Sequence, residues 1–316
     1  MNDTADIDAR NRLRVIVNRT AELTPLRSVA AKAISLAEDE RTAAMDLAAV
    51  LSSDQALTAR LLRLSNSAYY GYARRISNVR EAVILLGMRT VRSVAITSGI
   101  IDSFQEYELG DFDQDLFWAH SVTVGIVAET LARETRVARP EDAFTAGVLH
   151  DVGKLAMLLC EPEPFAEVVD LVVHEEMKFM DAERAVFGLT HPQVGARLAQ
   201  RWKFPEPLIA AIRDHHTEQR SPNIETLAQV VAAADLAVNR EGLAAGFDWT
   251  ARPERHPREA LPPRAEQALG KVHGGMRTLE QKARAFLRHV STRPPRWYAG
   301  REMEGDDEAP EVRRVA

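Results

Sequence analysis

Apolar residues in the N-terminal part of the chain recur at a helical period. Between residues 26 and 37 they lie three or four positions apart, which places them on one face of a helix. Thr24 and Pro25 precede this segment and form a helix-start signal, because proline lacks the N–H group that the first helical position leaves unbonded. Farther along, Asn78 with Glu81 three residues later is typical of a capping pair before another helix.

Helical patterns account for most of the remaining apolar segments. No series of alternating apolar and polar segments bounded by turns is found, so a sheet is not expected. The fold class that follows is all-α. The segments with a helical pattern are residues 42–51, 53–64, 79–96, 116–133, 140–159, 163–177, 191–202, 205–216, 225–240 and 276–290.

A polar segment at residues 105–115 divides the chain into two helical parts. The interpretation is an N-terminal helical subdomain at residues 15–107 and a second helical subdomain at residues 108–240. Prolines and arginines crowd the sequence that follows. Residues 241–316 are therefore predicted to form a Pro/Arg-rich extension that is partly disordered and contains one helix.

The composition is that of a globular protein. The chain has 316 residues, of which 46% are hydrophobic and 27% charged, and this usage excludes wholesale disorder. No apolar stretch approaches the roughly 20 residues that span a bilayer, and the N-terminus lacks the apolar segment of a secretory signal. A single cysteine, Cys160, excludes an intrachain disulfide and a cysteine-based zinc cluster. We therefore expect a cytoplasmic protein without a membrane partner.

Charge is distributed unevenly along the chain. The formal net charge is −6, and the acidic excess lies in residues 1–250, whereas lysine and arginine outnumber acids in residues 251–300. An acidic body binds nucleic acid poorly, and a basic segment of this kind is more often a solvated surface. Nucleic acid is therefore not expected as a partner.

Four polar or small residues interrupt the apolar helical segment 140–159. On a helix, Gly147, His150, Asp151 and Lys154 share one face, and nearly all of their neighbours in sequence are apolar. A helix that is apolar on its other sides is buried, and a buried carboxylate needs a cation, a metal ion or several donors beside it. Glycine at position 147 is expected to leave space beside the polar pair.

Further histidines and aspartates occur in equally apolar helical segments. Taken singly, each is more typical of a hydrogen-bonded core residue than of a ligand. Taken together, imidazoles and carboxylates from several helices predict a site for a divalent metal ion, and without thiolates such a site suits iron, manganese, nickel, cobalt or zinc. These residues are His120, His191, Asp214, His215, His216 and Asp235.

The segment HDVGK at residues 150–154 resembles the signature of the HD superfamily of metal-dependent phosphohydrolases. His120 before it and Asp235 after it complete the superfamily pattern. The whole arrangement resembles the HDOD family, whose name denotes an HD-related output domain of bacterial signalling. SSDQALTARLLRLSNSAYYG and VREAVILLGMRTVRSVAI resemble the helical N-terminal part of that family, and the resemblance covers roughly residues 15–240. It implies a helical N-terminal subdomain packed on an HD-like helical bundle.

The related HD-GYP phosphodiesterases hydrolyse cyclic di-GMP at a centre of two or three metal ions, and this resemblance implies roles for individual residues. Lys154 matches a lysine that contacts phosphate, and Asp151 is assigned a catalytic as well as a metal-binding role. The chain departs from that pattern at Leu116, where those enzymes carry a glutamate, and after His216, where the GYP motif is absent. The implied metal ligands are His120, His150, Asp151, His191, His215, His216 and Asp235.

Two functions of different classes follow. The first is a regulatory signalling module that interacts with other proteins and whose HD-like core binds a divalent metal. The second is a metal-dependent phosphohydrolase or phosphodiesterase that acts on a nucleotide or cyclic dinucleotide. The sequence leaves open whether the protein is an enzyme, and it does not fix the identity or number of the metal ions.

Overall fold

The chain is helical throughout the part that the structure, a computed structural model, describes. This part comprises residues 2–24, 28–35, 40–67, 70, 74–105, 113–216, 223–242 and 260–290. It contains sixteen helices and no strand, so the predicted all-α fold is confirmed. The helices are α1 (Asn2–Leu23), α2 (Ser28–Ser35), α3 (Glu40–Ser52), α4 (Gln55–Ser65), α5 (Val79–Leu86), α6 (Met88–Gln105), α7 (Gln114–Thr135), α8 (Pro140–Leu149), α9 (Val152–Cys160), α10 (Pro162–His174), α11 (Phe179–Phe187), α12 (His191–Arg201), α13 (Glu206–Asp214), α14 (Leu227–Arg240), α15 (Pro263–Gly270) and α16 (Gly275–Val290).

Local capping explains where several helices begin. The side chain of Asn78 accepts a hydrogen bond from the backbone N–H of Glu81, and the Glu81 carboxylate accepts one from the backbone N–H of Ser77. The predicted capping pair is therefore present at the start of α5. Asp54 caps α4 in the same way, through the backbone N–H of Leu57. The proposed start at Pro25 lies outside the described residues.

The predicted single helix over residues 140–159 is wrong in one respect, because the structure contains two helices there. α8 ends at Leu149, a turn holds His150 and Asp151, and α9 begins at Val152. The start of α9 lies directly against α12: a Cβ atom added to Gly153 would be 2.0 Å from the carbonyl oxygen of His191. This close approach fixes the position of the turn.

α7 packs on α8, α14 and α16, and most of its residues are buried. It packs tightly on α8, since a Cβ atom added to Gly147 would lie 2.7 Å from the Cα atom of Gly125. Gly147 therefore allows two helices to approach each other, rather than leaving space beside the polar pair. Among the described residues, Pro140–Cys160 is long and apolar enough to cross a membrane, but 83% of its most apolar 18-residue segment is buried inside the protein, as in a core helix.

α1 was not predicted, and its main contacts among the described residues are with α9 and α12. Ile16 and Val17 on α1 are buried. Arg12 donates hydrogen bonds to the Glu161 carboxylate at the end of α9 and to the carbonyl of Val186 at the end of α11. α1 is thereby attached to the C-terminal ends of α9 and α11.

The predicted helix at residues 276–290 is present as α16. It packs on α7 and α4. The centre of the Phe286 ring lies 5.2 Å from the centre of the Phe144 ring on α8. Arg60 on α4 forms a buried ion pair with Asp102 on α6 and donates to the carbonyl of Val290. α16 therefore contacts both predicted subdomains. The end of the chain, for which disorder was predicted, lies outside the described residues.

Candidate metal centre

The fold brings all seven predicted ligands together around the turn between α8 and α9. His120 comes from the middle of α7, His191 is the first residue of α12, and Asp235 lies in α14. The ligands fall into two clusters, within each of which the candidate ligand atoms lie within 4.8 Å of one another. Cluster A comprises His120, His150 and Asp235, and cluster B comprises Asp151, His191, His215 and His216.

Cluster A is centred on one oxygen of Asp235. The Oδ1 atom of Asp235 lies 3.2 Å from Nε2 of His120 and 3.6 Å from Nε2 of His150. The same oxygen accepts a hydrogen bond of 2.9 Å from the side-chain amide of Asn239, one helical turn later. Asn239 therefore orients the carboxylate, and the two imidazoles approach it from α7 and from the turn before α9.

Cluster B is centred on Asp151. Its Oδ1 atom lies 3.1 Å from Nε2 of His191 and 3.7 Å from Nε2 of His215. His216 completes the group and is exposed, whereas the other members are buried. The second oxygen of Asp151 lies 3.4 Å from Nε2 of His150. The two clusters thus adjoin each other, with Asp151 between them.

Hydrogen bonds behind the imidazoles determine which nitrogen faces the centre. Nδ1 of His150 lies 2.7 Å from the carbonyl oxygen of Gly147, and Nδ1 of His215 lies 2.7 Å from that of Ile212. Because a carbonyl oxygen only accepts hydrogen bonds, these Nδ1 atoms carry the hydrogen. Nε2 is then left as the atom that can bind a metal ion, as in metal-ligating histidines generally.

Four buried polar atoms at the centre have no hydrogen-bond partner among the described residues. A buried polar atom without a partner costs about 1–3 kcal/mol, so a group of them at one point needs an explanation. Divalent cations at clusters A and B would satisfy them, because imidazole nitrogens and carboxylate oxygens are ligands of such ions. The atoms are Nε2 of His150, His191 and His215, and Oδ1 of Asp151.

The pKa values of the cluster residues also indicate a site that attracts positive charge. Burial alone would lower the pKa of His150, but the carboxylates of Asp151 and Asp235 outweigh it and raise this pKa to about 10. Burial alone would raise the pKa of Asp151, but His150 and Lys154 hold it well below its usual value. Burial lowers the pKa of His215, which favours the neutral imidazole that a metal ion requires.

Lys154 lies beside cluster B. Its ammonium group donates a hydrogen bond of 2.7 Å to Oδ2 of Asp151 and lies 4.8 Å from the centre of the Phe179 ring. The positive charge of the lysine therefore balances the negative charge of the Asp151 carboxylate and favours its ionised form. Its predicted contact with a phosphate group stays a prediction.

Sequence reasoning missed Glu183, which is fully buried and hydrogen-bonded to Nδ1 of His191. A signal was present, because Phe179, Glu183 and Phe187 are spaced four residues apart and therefore share one face of α11. Asp214, which was grouped with the candidates, lies outside both clusters and pairs with Arg213.

The all-helical fold, with histidines and aspartates meeting around the turn at His150 and Asp151, is that of the HD superfamily. The family profile of the HDOD domain matches residues 23–218. The chain therefore belongs to the HDOD family, as the resemblance implied. α1, α14, α15 and α16 lie almost entirely outside the matched residues, so the match does not include Asp235.

Comparisons with individual proteins agree with this assignment. An HDOD domain protein of unknown function from Geobacter sulfurreducens has a similar structure, with a TM-score of 0.67 and 28% identity, and the match covers 90% of this chain and 97% of that one. An uncharacterized protein of Treponema pallidum is 29% identical over 61% of this chain and 37% of its own length. A cyclic di-GMP phosphodiesterase of Pseudomonas aeruginosa is 33% identical over 32% of this chain and 22% of its own length. The chain thus spans well under half of the curated relatives that it matches.

Proposed function

We propose that this HDOD protein is a signalling protein of the cytoplasm whose HD-like core binds a divalent metal ion and whose output is interaction with other signalling proteins. The observation that carries the metal-binding part is the set of four buried imidazole and carboxylate atoms without a hydrogen-bond partner among the described residues around His150 and Asp151. The family assignment supports the signalling part.

The chain itself supplies the ligands. His120, His150 and Asp235 would hold an ion at cluster A, and the members of cluster B would hold an ion beside Asp151. Imidazole and carboxylate ligands suit iron, manganese, nickel, cobalt or zinc. Cys160 is not a ligand in this proposal. It lies at the end of α9 far from the clusters, and its thiol contacts Thr20 on α1.

Two features favour a regulatory role over a catalytic one. Leu116 lies one turn before His120 on α7, at the position where the HD-GYP enzymes carry a glutamate, so that glutamate has no counterpart at this position. The sequence after His216 reads TEQRSPN and lacks the GYP motif. The seven candidate ligands support metal binding, whereas the glutamate and the GYP motif of the HD-GYP enzymes have no counterpart at these positions.

The alternative is a metal-dependent phosphohydrolase acting on a nucleotide or a cyclic dinucleotide. Its support is the partial similarity to a cyclic di-GMP phosphodiesterase and the cation of Lys154 beside cluster B. A divalent metal ion would supply Lewis acidity in such a reaction. Lys154 would contribute positive charge to a phosphate, and Asp151 would hold its ammonium group in place.

Elemental analysis of protein purified without a metal-affinity tag tests the metal-binding proposal. We expect a stoichiometric transition metal in the wild-type protein and at least a severalfold loss in His150→Ala. His174→Ala is the matched control, because His174 is an exposed histidine at the end of α10. Protein that contains no metal, and takes none up from manganese, iron, nickel, cobalt or zinc salts, would contradict the proposal.

Hydrolysis assays separate the two functions. We expect no turnover of cyclic dinucleotides or nucleotide phosphates with manganese, iron, nickel or magnesium. Turnover at an ordinary enzyme rate that is abolished in Asp151→Ala would instead establish the phosphohydrolase.

A further inference from the structure

Glu183 is a fully buried carboxylate that lies directly behind cluster B. Its Oε1 and Oε2 atoms lie 2.9 and 2.8 Å from Nδ1 of His191. Oε2 also accepts a hydrogen bond of 3.0 Å from the backbone N–H of the same residue. One carboxylate thus holds both the ring of His191 and the first peptide of α12.

This contact distinguishes His191 from the histidines beside it. The Nδ1 atoms of His150 and His215 face neutral carbonyl oxygens, whereas that of His191 faces an anionic carboxylate. A hydrogen bond to a charged acceptor is roughly twice as strong as one between neutral groups. It also makes the opposite ring nitrogen a better electron-pair donor.

The buried charge of Glu183 needs positive charge nearby, and the Lys154 ammonium group beside Asp151 supplies part of it. Burial of an ionised carboxylate is very unfavourable unless it is paired. The ring of His191 connects it to the centre, because Nε2 of that ring lies 3.1 Å from Oδ1 of Asp151 and has no hydrogen-bond partner among the described residues. A cation at that point would be linked through His191 to Glu183.

The negative charge of Glu183 matters for cluster B in particular, because this cluster has few negative groups of its own. Asp151 is its only carboxylate, and the second oxygen of Asp151 already accepts a hydrogen bond from Lys154. The remaining ligands of the cluster are neutral imidazoles when they bind a metal ion. Glu183 adds a second negative charge without occupying a ligand position.

We propose that Glu183 is a positioning residue of cluster B: it keeps Nδ1 of His191 protonated, fixes the ring, and strengthens Nε2 as a metal ligand. This inference rests on the proposed metal binding. It predicts that the affinity of cluster B for a divalent ion depends on a residue that does not contact the ion, whereas cluster A is independent of it.

Zinc titration of the full chain, after removal of metal, tests the inference with Glu183→Gln. Glutamine keeps the size of the side chain and one oxygen acceptor but removes the charge. We expect zinc affinity at cluster B to fall by about 10–100-fold, with binding at cluster A unchanged. Asp181→Asn is the matched control, because it removes an exposed carboxylate from the same helix, and it should bind zinc like the wild type.

Nitrogen-15 NMR of histidine-labelled, zinc-loaded protein gives a second readout. In the wild type we expect Nδ1 of His191 to carry a hydrogen whose proton resonance lies strongly downfield. In Glu183→Gln we expect this proton resonance alone to move upfield. If Glu183→Gln does not fold, the wild-type spectrum decides: a His191 ring without a hydrogen on Nδ1 overturns the inference.

Zinc binding by the wild type separates a failure of the proposed function from a failure of the role of Glu183. Wild-type protein that binds no zinc would overturn the proposed function and this inference together. Zinc binding by the wild type, with equal affinity and an unchanged His191 signal in Glu183→Gln, would overturn the role of Glu183 alone.

Discussion

The second carboxylate oxygen of Asp151 lies 3.4 Å from Nε2 of His150, and this contact joins two groups of ligands that come from five different parts of the chain. His150 belongs to cluster A and Asp151 to cluster B, although the two residues are adjacent in sequence. The turn between α8 and α9 makes this possible, because it directs consecutive side chains toward separate sets of partners.

Replacing Asp151 should therefore affect both clusters. Asp151→Asn keeps the shape of the side chain but removes the charge that faces His150, His191 and Lys154. We expect metal content measured by elemental analysis to fall at least tenfold. Asp170→Asn, an exposed aspartate on α10, should retain the wild-type content. Full metal content in Asp151→Asn would show that Asp151 is not a ligand.

Metal binding should release protons. The pKa of His150 is raised to about 10, so its ring is protonated at pH 7 in the metal-free protein, and a metal ion can bind Nε2 only after this proton leaves. We expect release of about one proton per ion at cluster A, and an affinity that falls about tenfold for each pH unit below 10. Calorimetry in buffers of different ionisation enthalpy measures the release, and binding heats that are independent of the buffer would argue against the assignment.

The same shift predicts how the metal-free protein responds to alkali. The pKa of His150 is higher in the folded chain than its unfolded value of about 6.5. Its contribution to stability is therefore complete below about pH 6.5 and is lost as the pH rises through about 10. Urea unfolding should show a smaller free energy of unfolding at pH 10 than at pH 6.5, and His150→Asn should reduce this difference.

Gly153 should tolerate no larger residue. A Cβ atom there would lie 2.0 Å from the carbonyl oxygen of His191, so Gly153→Ala forces α9 and α12 apart at the point where Asp151 and His191 meet. We expect a loss of about 1–3 kcal/mol in the free energy of unfolding and weaker metal binding. Gly270→Ala, at a helical glycine with nothing within 4 Å of the added atom, is the control and should be neutral. Normal metal binding by Gly153→Ala would contradict the observed packing.

The ion pair between Arg60 and Asp102 should be important for stability. Both side chains are buried, and Arg60 also donates to the carbonyl of Val290 at the end of α16. Asp102→Ala leaves a buried cation without its carboxylate, so we expect a loss of about 3–5 kcal/mol by urea unfolding. Asp181→Asn breaks an exposed ion pair with Arg184 and should change stability by less than about 1 kcal/mol. Equal effects of the two variants would contradict this account.

The fold class and the candidate ligands could be predicted from the sequence because each depends on local pattern. Apolar residues at helical spacing predict helices, and a charged residue such as Asp151 among them indicates a buried partner. The turn at His150 could not be predicted this way, because it depends on how closely α9 approaches α12. The contact of Arg60 with Val290 could not be predicted either, because the two residues are far apart in sequence. Val290 also lies in the segment whose composition predicted a partly disordered extension.

Glu183 shows an intermediate case. Its position between Phe179 and Phe187 on the buried face of α11 could be inferred from spacing alone. Its partner could not, because the distance to His191 is set by the connection from α11 to α12. A helical period therefore indicates that a carboxylate is buried, but the tertiary fold determines what it binds.

Anomalous X-ray diffraction from crystals soaked in zinc or manganese salts tests the central claim most directly. We expect an anomalous peak at about 2.0–2.2 Å from Nε2 of His191 and from Oδ1 of Asp151, and at bonding distance from the other ligands of cluster B. Crystals that show no peak at either cluster, with these imidazoles hydrogen-bonded to one another or to water, would contradict it.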